Sequence, residues 1–98
     1  FEFKVGTIRT AAPHPNADRL VVLEVDLAEE RPRQIVAGIR AAYSPEDLVG
    51  RQIVVVANLK PAKLRGIESQ GMLLAASDDD GLTLVRPERE TKPGARVK

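Results

Sequence analysis

The densest chemistry in the chain lies in Asn58-Leu59-Lys60-Pro61-Ala62-Lys63-Leu64-Arg65-Gly66. Lys60, Lys63 and Arg65 fall within six residues, and no acid occurs between Leu48 and Ile67. Such a run reads either as a solvated loop or as a patch for phosphates. Asn58 and, further on, Ser69 carry groups able to bond ribose, base edges or backbone. Met72 adds a polarisable apolar contact for a base. The candidate binding residues are therefore Asn58, Lys60, Lys63, Arg65, Ser69 and Met72.

Catalytic chemistry is poorly supplied. The single His14 lies between two prolines, has no Ser or Cys near it in sequence, and reads as a surface or turn residue. Ser44 reads as a helix cap, and Ser69 and Ser77 lack a visible base. Glu29-Glu30 and Asp78-Asp79-Asp80 are adjacent acids in turns, and such acids are usually solvated. The triple Asp lacks the spacing of a helix-loop-helix calcium site. No Cys is present, so disulfides, thiolate metal sites and cysteine nucleophiles are excluded. Gly66 and Gly71 lack the spacing of a phosphate-cradling loop and read as backbone-geometry residues. The expectation is a binding module with no catalytic residues, no cofactor and no metal.

These residues must be positioned by one small domain, residues 1–98. A chain of 98 residues buries roughly two thirds of its unfolded surface in a single core. Its 43% apolar and 30% charged residues exclude a disordered chain. No apolar run approaches the roughly 18 residues of a membrane helix. Nor does a signal peptide open the chain, so a cytoplasmic setting is the default expectation. The absence of an initiator Met suggests a fragment or a terminus not fully given. The formal net charge is +1, but residues 1–49 carry −2 and residues 50–98 carry +3.

Short apolar stretches separated by turns predict strands at Val5–Ile8, Leu20–Leu27, Gln34–Ile39, Arg51–Ala57 and Gly71–Ala76, with Leu82–Val85 pairing next. Gly6 suggests a bulge or a barrel bend. Pro13-His14-Pro15-Asn16-Ala17-Asp18 reads as a turn bonded by the Asn16 and Asp18 side chains. Ser44-Pro45-Glu46-Asp47 predicts a helix of one or two turns ending near Gly50, with Ser44 as cap. Asp80-Gly81 predicts the core of a hairpin turn, and Pro93-Gly94 a last turn. Five main strands with one short helix between the third and fourth follow the order of an OB-fold, an all-β five-stranded barrel. The barrel spans about 1–77, with a C-terminal extension over about 78–98. Ile53–Val56 and Met72–Ala76 are apolar on both faces, so the extension and a second copy of the chain are expected to cover them.

The aromatics are only Phe1, Phe3 and Tyr43, which disfavours single-strand binding by base stacking. A folded RNA, read by shape and phosphates, needs cations and hydrogen-bond donors instead. The ordered pieces His14-Pro15-Asn16-Ala17-Asp18, Ile35-Val36-Ala37-Gly38-Ile39, Pro45-Glu46-Asp47-Leu48-Val49-Gly50, Asn58-Leu59-Lys60-Pro61, Lys63-Leu64-Arg65-Gly66 and Ser69-Gln70-Gly71-Met72-Leu73-Leu74-Ala75-Ala76 strongly resemble the tRNA-binding domain family. That module occurs at the C-terminus of many bacterial methionyl-tRNA synthetases and as a free-standing protein. Similar domains occur in EMAP-type cytokines and synthetase cofactors. The resemblance implies an OB-barrel homodimer that binds tRNA by shape near the outer corner of the L, with little sequence preference. It implies RNA contacts at Asn58, Lys60, Lys63, Arg65, Ser69 and Met72, and a chiefly structural His14 loop. As part of a synthetase, such a module would raise tRNA affinity and join subunits while aminoacylation proceeds elsewhere. Ala37 and Ala62 depart from the Ser and the base expected in many relatives, and Ala62 implies slightly weaker RNA binding. An alternative reading is a protein-interaction module like the CsaA-type export chaperones, which share the fold.

Overall fold

A computed structural model describes residues Phe1–Lys98. Its long first strand, β1 (Phe3–Pro13), organises the rest. Residues Phe3–Thr7 pair antiparallel with β4 (Gln52–Val56), and Thr7–Pro13 pair with β2 (Val21–Asp26). β2 in turn pairs with β3 (Arg33–Ala37) along five positions. The one-turn helix α1 (Pro45–Leu48) follows β3 and buries Leu48. After β4 come a small hairpin, β5 (Ala62–Leu64) with β6 (Ile67–Ser69), and then β7 (Met72–Leu73) on β4. A second hairpin joins β8 (Ala75–Asp78) to β9 (Gly81–Leu84). β10 (Arg96–Val97) returns to Phe3–Lys4 of β1. The sheet runs β3-β2-β1-β4-β7 and curls into a nearly closed barrel, an OB-like fold.

Alternation explains this curl. In β2, Val21, Leu23 and Val25 are buried while Glu24 faces out. Their inward side chains meet Ile8, Ile35, Leu48, Ile53, Val55 and Leu73 in one core. β1 extends well past the expected Val5–Ile8. Its polar continuation is held by side chains across the pair: Arg9 Nη2 lies 2.6 Å from Asp26 Oδ2, and Thr10 Oγ1 donates to Glu24 at 2.8 Å.

Several expectations need correction. The bulge sits between Ile8 and Thr10, not at Gly6. Gly6 is instead a close-approach residue, because a Cβ there would stand 2.5 Å from Val25 Cγ1 and 2.9 Å from Leu27 Cδ2. Ser44 occupies the cap position, but its hydroxyl makes no cap bond; its carbonyl accepts from Asp47 N–H. The acidic hairpin turns on Asp79-Asp80, flanked by the pair Asp78–Gly81. Asp78 Oδ1 accepts from Asp80 N–H at 2.8 Å, which gives that carboxylate a local structural role. The expected strand Gly71–Ala76 is interrupted at Leu74, where the chain leaves β4 to build the second hairpin.

The C-terminal residues fold back onto their own barrel. Gly94 N–H donates to Val5 O, and Val5 N–H donates to Ala95 O. Gln52 holds the same segment through both amide atoms, donating to Thr91 O and accepting from Thr91 N–H. Ile53, Val54, Val55 and Val56 are all buried within one chain, so a second copy is not needed to cover β4. Ala75 and Ala76, by contrast, stay exposed. No helix is long and apolar enough to cross a membrane.

Replacing Gly6 with Ala drives a methyl into Val25 and Leu27. The expected cost is about 1–3 kcal/mol of folding stability. A shift of the urea midpoint to lower concentration, at unchanged slope, is the readout; an unshifted midpoint would contradict the close packing.

Candidate nucleic-acid interface

The β5–β6 hairpin presents the cationic segment. Ala62↔Ser69, Lys63↔Glu68 and Leu64↔Ile67 are cross-strand partners, and the turn between them is Arg65-Gly66. Both turn residues have positive φ, 53° and 92°. Glycine adopts that backbone freely, which fits Gly66 to the second turn position. Arg65 therefore sits at the exposed tip, Lys63 on an exposed face of β5, and Lys60 on the exposed approach from β4.

Two anchors root the hairpin to the barrel. At its base, Arg33 Nη1 donates to Ala57 O, where the excursion leaves β4, and to Gln70 O at 3.1 Å, where it returns. Glu29 fixes this guanidinium in a paired contact, with Nε and Nη2 at 2.9 and 2.8 Å. The hydrogen bond from Arg33, aided by its charge, holds the Glu29 carboxyl below its usual range against the opposing effect of burial. At the tip, His14 Nε2 lies 3.0 Å from Leu64 O. Because Nδ1 accepts Asn16 N–H at 3.0 Å, Nε2 is the protonated nitrogen and donates to Leu64. Arg65 Nη2 also donates to Asn16 O at 3.3 Å.

His14 is thus a buried joint between its loop and the hairpin, only 3% exposed, and not a surface residue. The turn is held by the imidazole; the Asn16 and Asp18 side chains make none of its hydrogen bonds. Leu20 N–H donating to Ala17 O and His14 N–H donating to Leu20 O complete it.

Ser69 stands apart from the other candidates. It is 3% exposed, accepts Val36 N–H at 2.9 Å and donates to Gly71 O at 2.8 Å. Its hydroxyl joins β3 to the β6–β7 turn and is not free for ribose. Asn58 is exposed, but its Oδ1 accepts Glu2 N–H at 2.8 Å, which leaves the amide NH2 as its outward donor. Met72 is half-buried and pairs with Val56, at the same end of β4 as Asn58.

The structure adds a residue the sequence argument omitted. Arg19 and Arg65 border one concavity of about 430 Å³, with Asn16 and Asp18. Arg19 O accepts Arg40 N–H, which brings a third arginine to that end. Forty-six residues separate Arg19 from Arg65, and the only sequence signal is a base immediately after the His14–Asp18 turn. A broader groove of about 540 Å³ lies between Glu29–Arg33 and Ala57–Pro61. Ala57 and Leu59 are the hydrophobic residues among the nine that line it.

An OB barrel that projects an anchored cationic hairpin defines a binding module for an anionic partner. Comparison with known proteins narrows this class: residues 3–96 match the model of the "Putative tRNA binding domain" family. The chain belongs to that family. It is 53% identical over 97 residues to the methionine–tRNA ligase of Thermococcus kodakarensis, covering 99% of this chain and 13% of the ligase. The chain thus spans about an eighth of the length of that relative. Among solved structures, it superposes on a MetRS-related protein from Pyrococcus horikoshii with a TM-score of 0.89 and 40% identity, over all of this chain and 90% of that one. The chaperone CsaA of Bacillus anthracis gives a TM-score of 0.87 and 31% identity, over 99% and 90%.

The lowered Glu29 carboxyl fixes the sign of an acid response. Its ionised form stabilises the folded chain above about pH 4.5, the ordinary value, and that contribution is lost as pH falls through the lower folded value. The Glu29–Arg33 pair is partly exposed, so its effect is modest and weakens with salt. Urea midpoints measured between pH 6 and 3 should fall on acidification, and less steeply in Glu29→Gln. Identical profiles would contradict the clasp.

Proposed function

We propose that this domain binds folded tRNA through its cationic hairpin, recognising shape and phosphates more than sequence. The observation that carries this reading is the hairpin itself. Lys60, Lys63 and Arg65 are exposed, and none is within ion-pair distance of a carboxylate. Two buried-side anchors hold the element that bears them, so its donors are ordered before an RNA arrives. Asn58 and Met72 flank the base of the hairpin, and Arg19 extends the cationic end beside Arg65. Ser69 acts through the scaffold. Sparse aromatic residues agree with recognition of a structured RNA by its shape and phosphates.

The ligase relative supports a further step: this domain works as an appended part of a methionyl-tRNA synthetase, in a cytoplasmic setting, where it raises tRNA affinity. Aminoacylation then lies in another part of that protein. The chaperone-like alternative receives less support, because the groove between Glu29–Arg33 and Ala57–Pro61 has two hydrophobic residues among nine and offers little apolar surface to an unfolded polypeptide.

A homodimer is part of the same proposal. Exposed Ala75 and Ala76 on β8 lie beside exposed Val85, whose N–H donates to Leu74 O. This small apolar edge is a surface a second copy can cover. Sedimentation equilibrium should report a dimer that Val85→Glu weakens; a monomer at high protein concentration would overturn it.

Titration with a folded tRNA and with an unstructured RNA of equal length tests the binding reading. The folded tRNA should bind more tightly, with log affinity falling by about one per phosphate contact per log unit of salt. Lys63→Ala should weaken all tRNAs alike and lower that slope by about one. Equal affinity for both RNAs, or none, would overturn the reading.

A further inference from the structure

A second cationic feature lies at the opposite end of β4. Arg51, Arg86 and Arg89 line one cleft of about 220 Å³ with Gln52 and Glu90. Glu90 is the one carboxylate in that lining, so the cleft carries an excess of two positive charges. None of the three arginines lies within ion-pair distance of any carboxylate. The cleft has no hydrophobic lining residue, which argues against an apolar ligand.

The cleft is built on fixed parts. Arg51 Nε donates to Asp47 O at 2.8 Å, and its guanidinium stands 5.4 Å from the centroid of the Tyr43 ring. That stacking leaves both Nη groups of Arg51 without a protein acceptor. The Tyr43 hydroxyl is itself held by Leu84 N–H at 3.0 Å. Donation from Leu84, then from Thr83, makes that hydroxyl more acidic than an ordinary tyrosine against the opposing effect of burial, with smaller help from the charges of Arg51 and Arg86. The floor is Gln52, whose amide is engaged with Thr7 and Thr91 and so secures the C-terminal segment that bears Arg86 and Arg89. Arg89 Nη1 donates to Glu90 O at 3.0 Å, which leaves its remaining donors unassigned.

We propose that Arg51, Arg86 and Arg89 form a second phosphate site, occupied by a backbone phosphodiester of the bound RNA. The guanidinium fork suits phosphate oxygens, and a stacked, pre-oriented arginine loses little freedom on binding. From Arg51 to Asn58 the chain passes through β4 and just beyond both its ends, about 23 Å at the rise of a strand. The protein thus presents cations at both ends of one rigid strand. An RNA with phosphates already fixed about that far apart engages both without ordering its chain, which favours a folded molecule over a short flexible strand. This inference rests on the tRNA reading and deepens it. A free inorganic phosphate shares the ligand chemistry and is the competing occupant.

Two measurements separate the possibilities. Tyr43 is the only tyrosine and no tryptophan is present, so intrinsic emission comes from the one ring that the Arg51 guanidinium overlies. Inorganic phosphate at constant ionic strength should change Tyr43 emission in the native chain and not in an Arg86→Gln/Arg89→Gln variant. Labelled folded tRNA should then bind that variant about tenfold more weakly, with a salt slope smaller by about one to two. Arg86 and Arg89 are exposed, so the urea midpoint should not move. If native protein binds tRNA and the variant binds it equally well, the second site is overturned while the tRNA reading stands. A phosphate response with unchanged tRNA binding identifies a small-anion site and overturns the RNA occupant. Failure of the native protein to bind tRNA overturns the underlying reading and this inference with it.

Discussion

The open edge of β3 must find hydrogen-bond partners, and it finds them in Ser69 and Gln70 rather than in a neighbouring long strand. Val36 N–H donates to Ser69 Oγ, Gln70 N–H donates to Gln34 O, and Gln34 N–H donates to Gln70 Oε1. Gln34 Nε2 adds a bond to Glu68 O at 2.7 Å. An unpaired buried backbone group costs about as much as a lost hydrogen bond. This seam removes that cost and closes the barrel over Ile35, Leu23 and Leu73. It also ends the β5–β6 excursion at a fixed point. The element that carries Lys63 and Arg65 is thus rooted in the same bonds that close the core.

Charge in this molecule works through placement. A net charge of +1 gives little long-range attraction to an anionic partner. The structure instead sets acids against arginines where rigidity is needed, as in Arg9–Asp26 and Glu29–Arg33. Cations without such partners remain on the hairpin, beside it at Arg19, and in the Arg51 cleft. Paired charges build the scaffold, and unpaired ones face the surface where a phosphate can reach them.

Local pattern made much of the fold legible. β-branched Ile53–Val56 reads as strand, alternation in Leu23–Leu27 reads as one buried face, and Pro45 with Gly50 brackets a short helix. The length of β1 was hidden because Arg9 and Thr10 look like a break; only their partners across the pair, Asp26 and Glu24, let the strand continue. Among candidate residues, the exposure of Lys63 and Arg65 was legible because surface cations announce themselves by type and spacing. Ser69 was not, since a hydroxyl beside a basic run looks like a contact until the distant Val36 N–H claims it. Arg33, and the burial of His14 within its structural loop, escaped for the same reason: their partners, Ala57, Gln70 and Leu64, lie 24 to 50 residues away. Long-range bonds from side chain to backbone leave no mark on sequence periodicity.

The central claim is that the seam positions the cations while the cations themselves bind. Comparing Ser69→Ala with Lys63→Ala/Arg65→Ala, in urea unfolding and in tRNA affinity on the same preparations, tests it most directly. Ser69→Ala leaves Val36 N–H unpaired and should lose about 1–3 kcal/mol of stability. Its tRNA affinity, measured well below the unfolding temperature, should fall only slightly, because Arg33, Gln70 and His14 still hold the hairpin in place. The cation variant should show the reverse, with a large loss of affinity and a stability change well below that of Ser69→Ala, since it gives up only the exposed 3.3 Å bond from Arg65 to Asn16 O. A Ser69→Ala protein with native stability and impaired tRNA binding would contradict the account, because Ser69 would then be an RNA contact and not part of the seam.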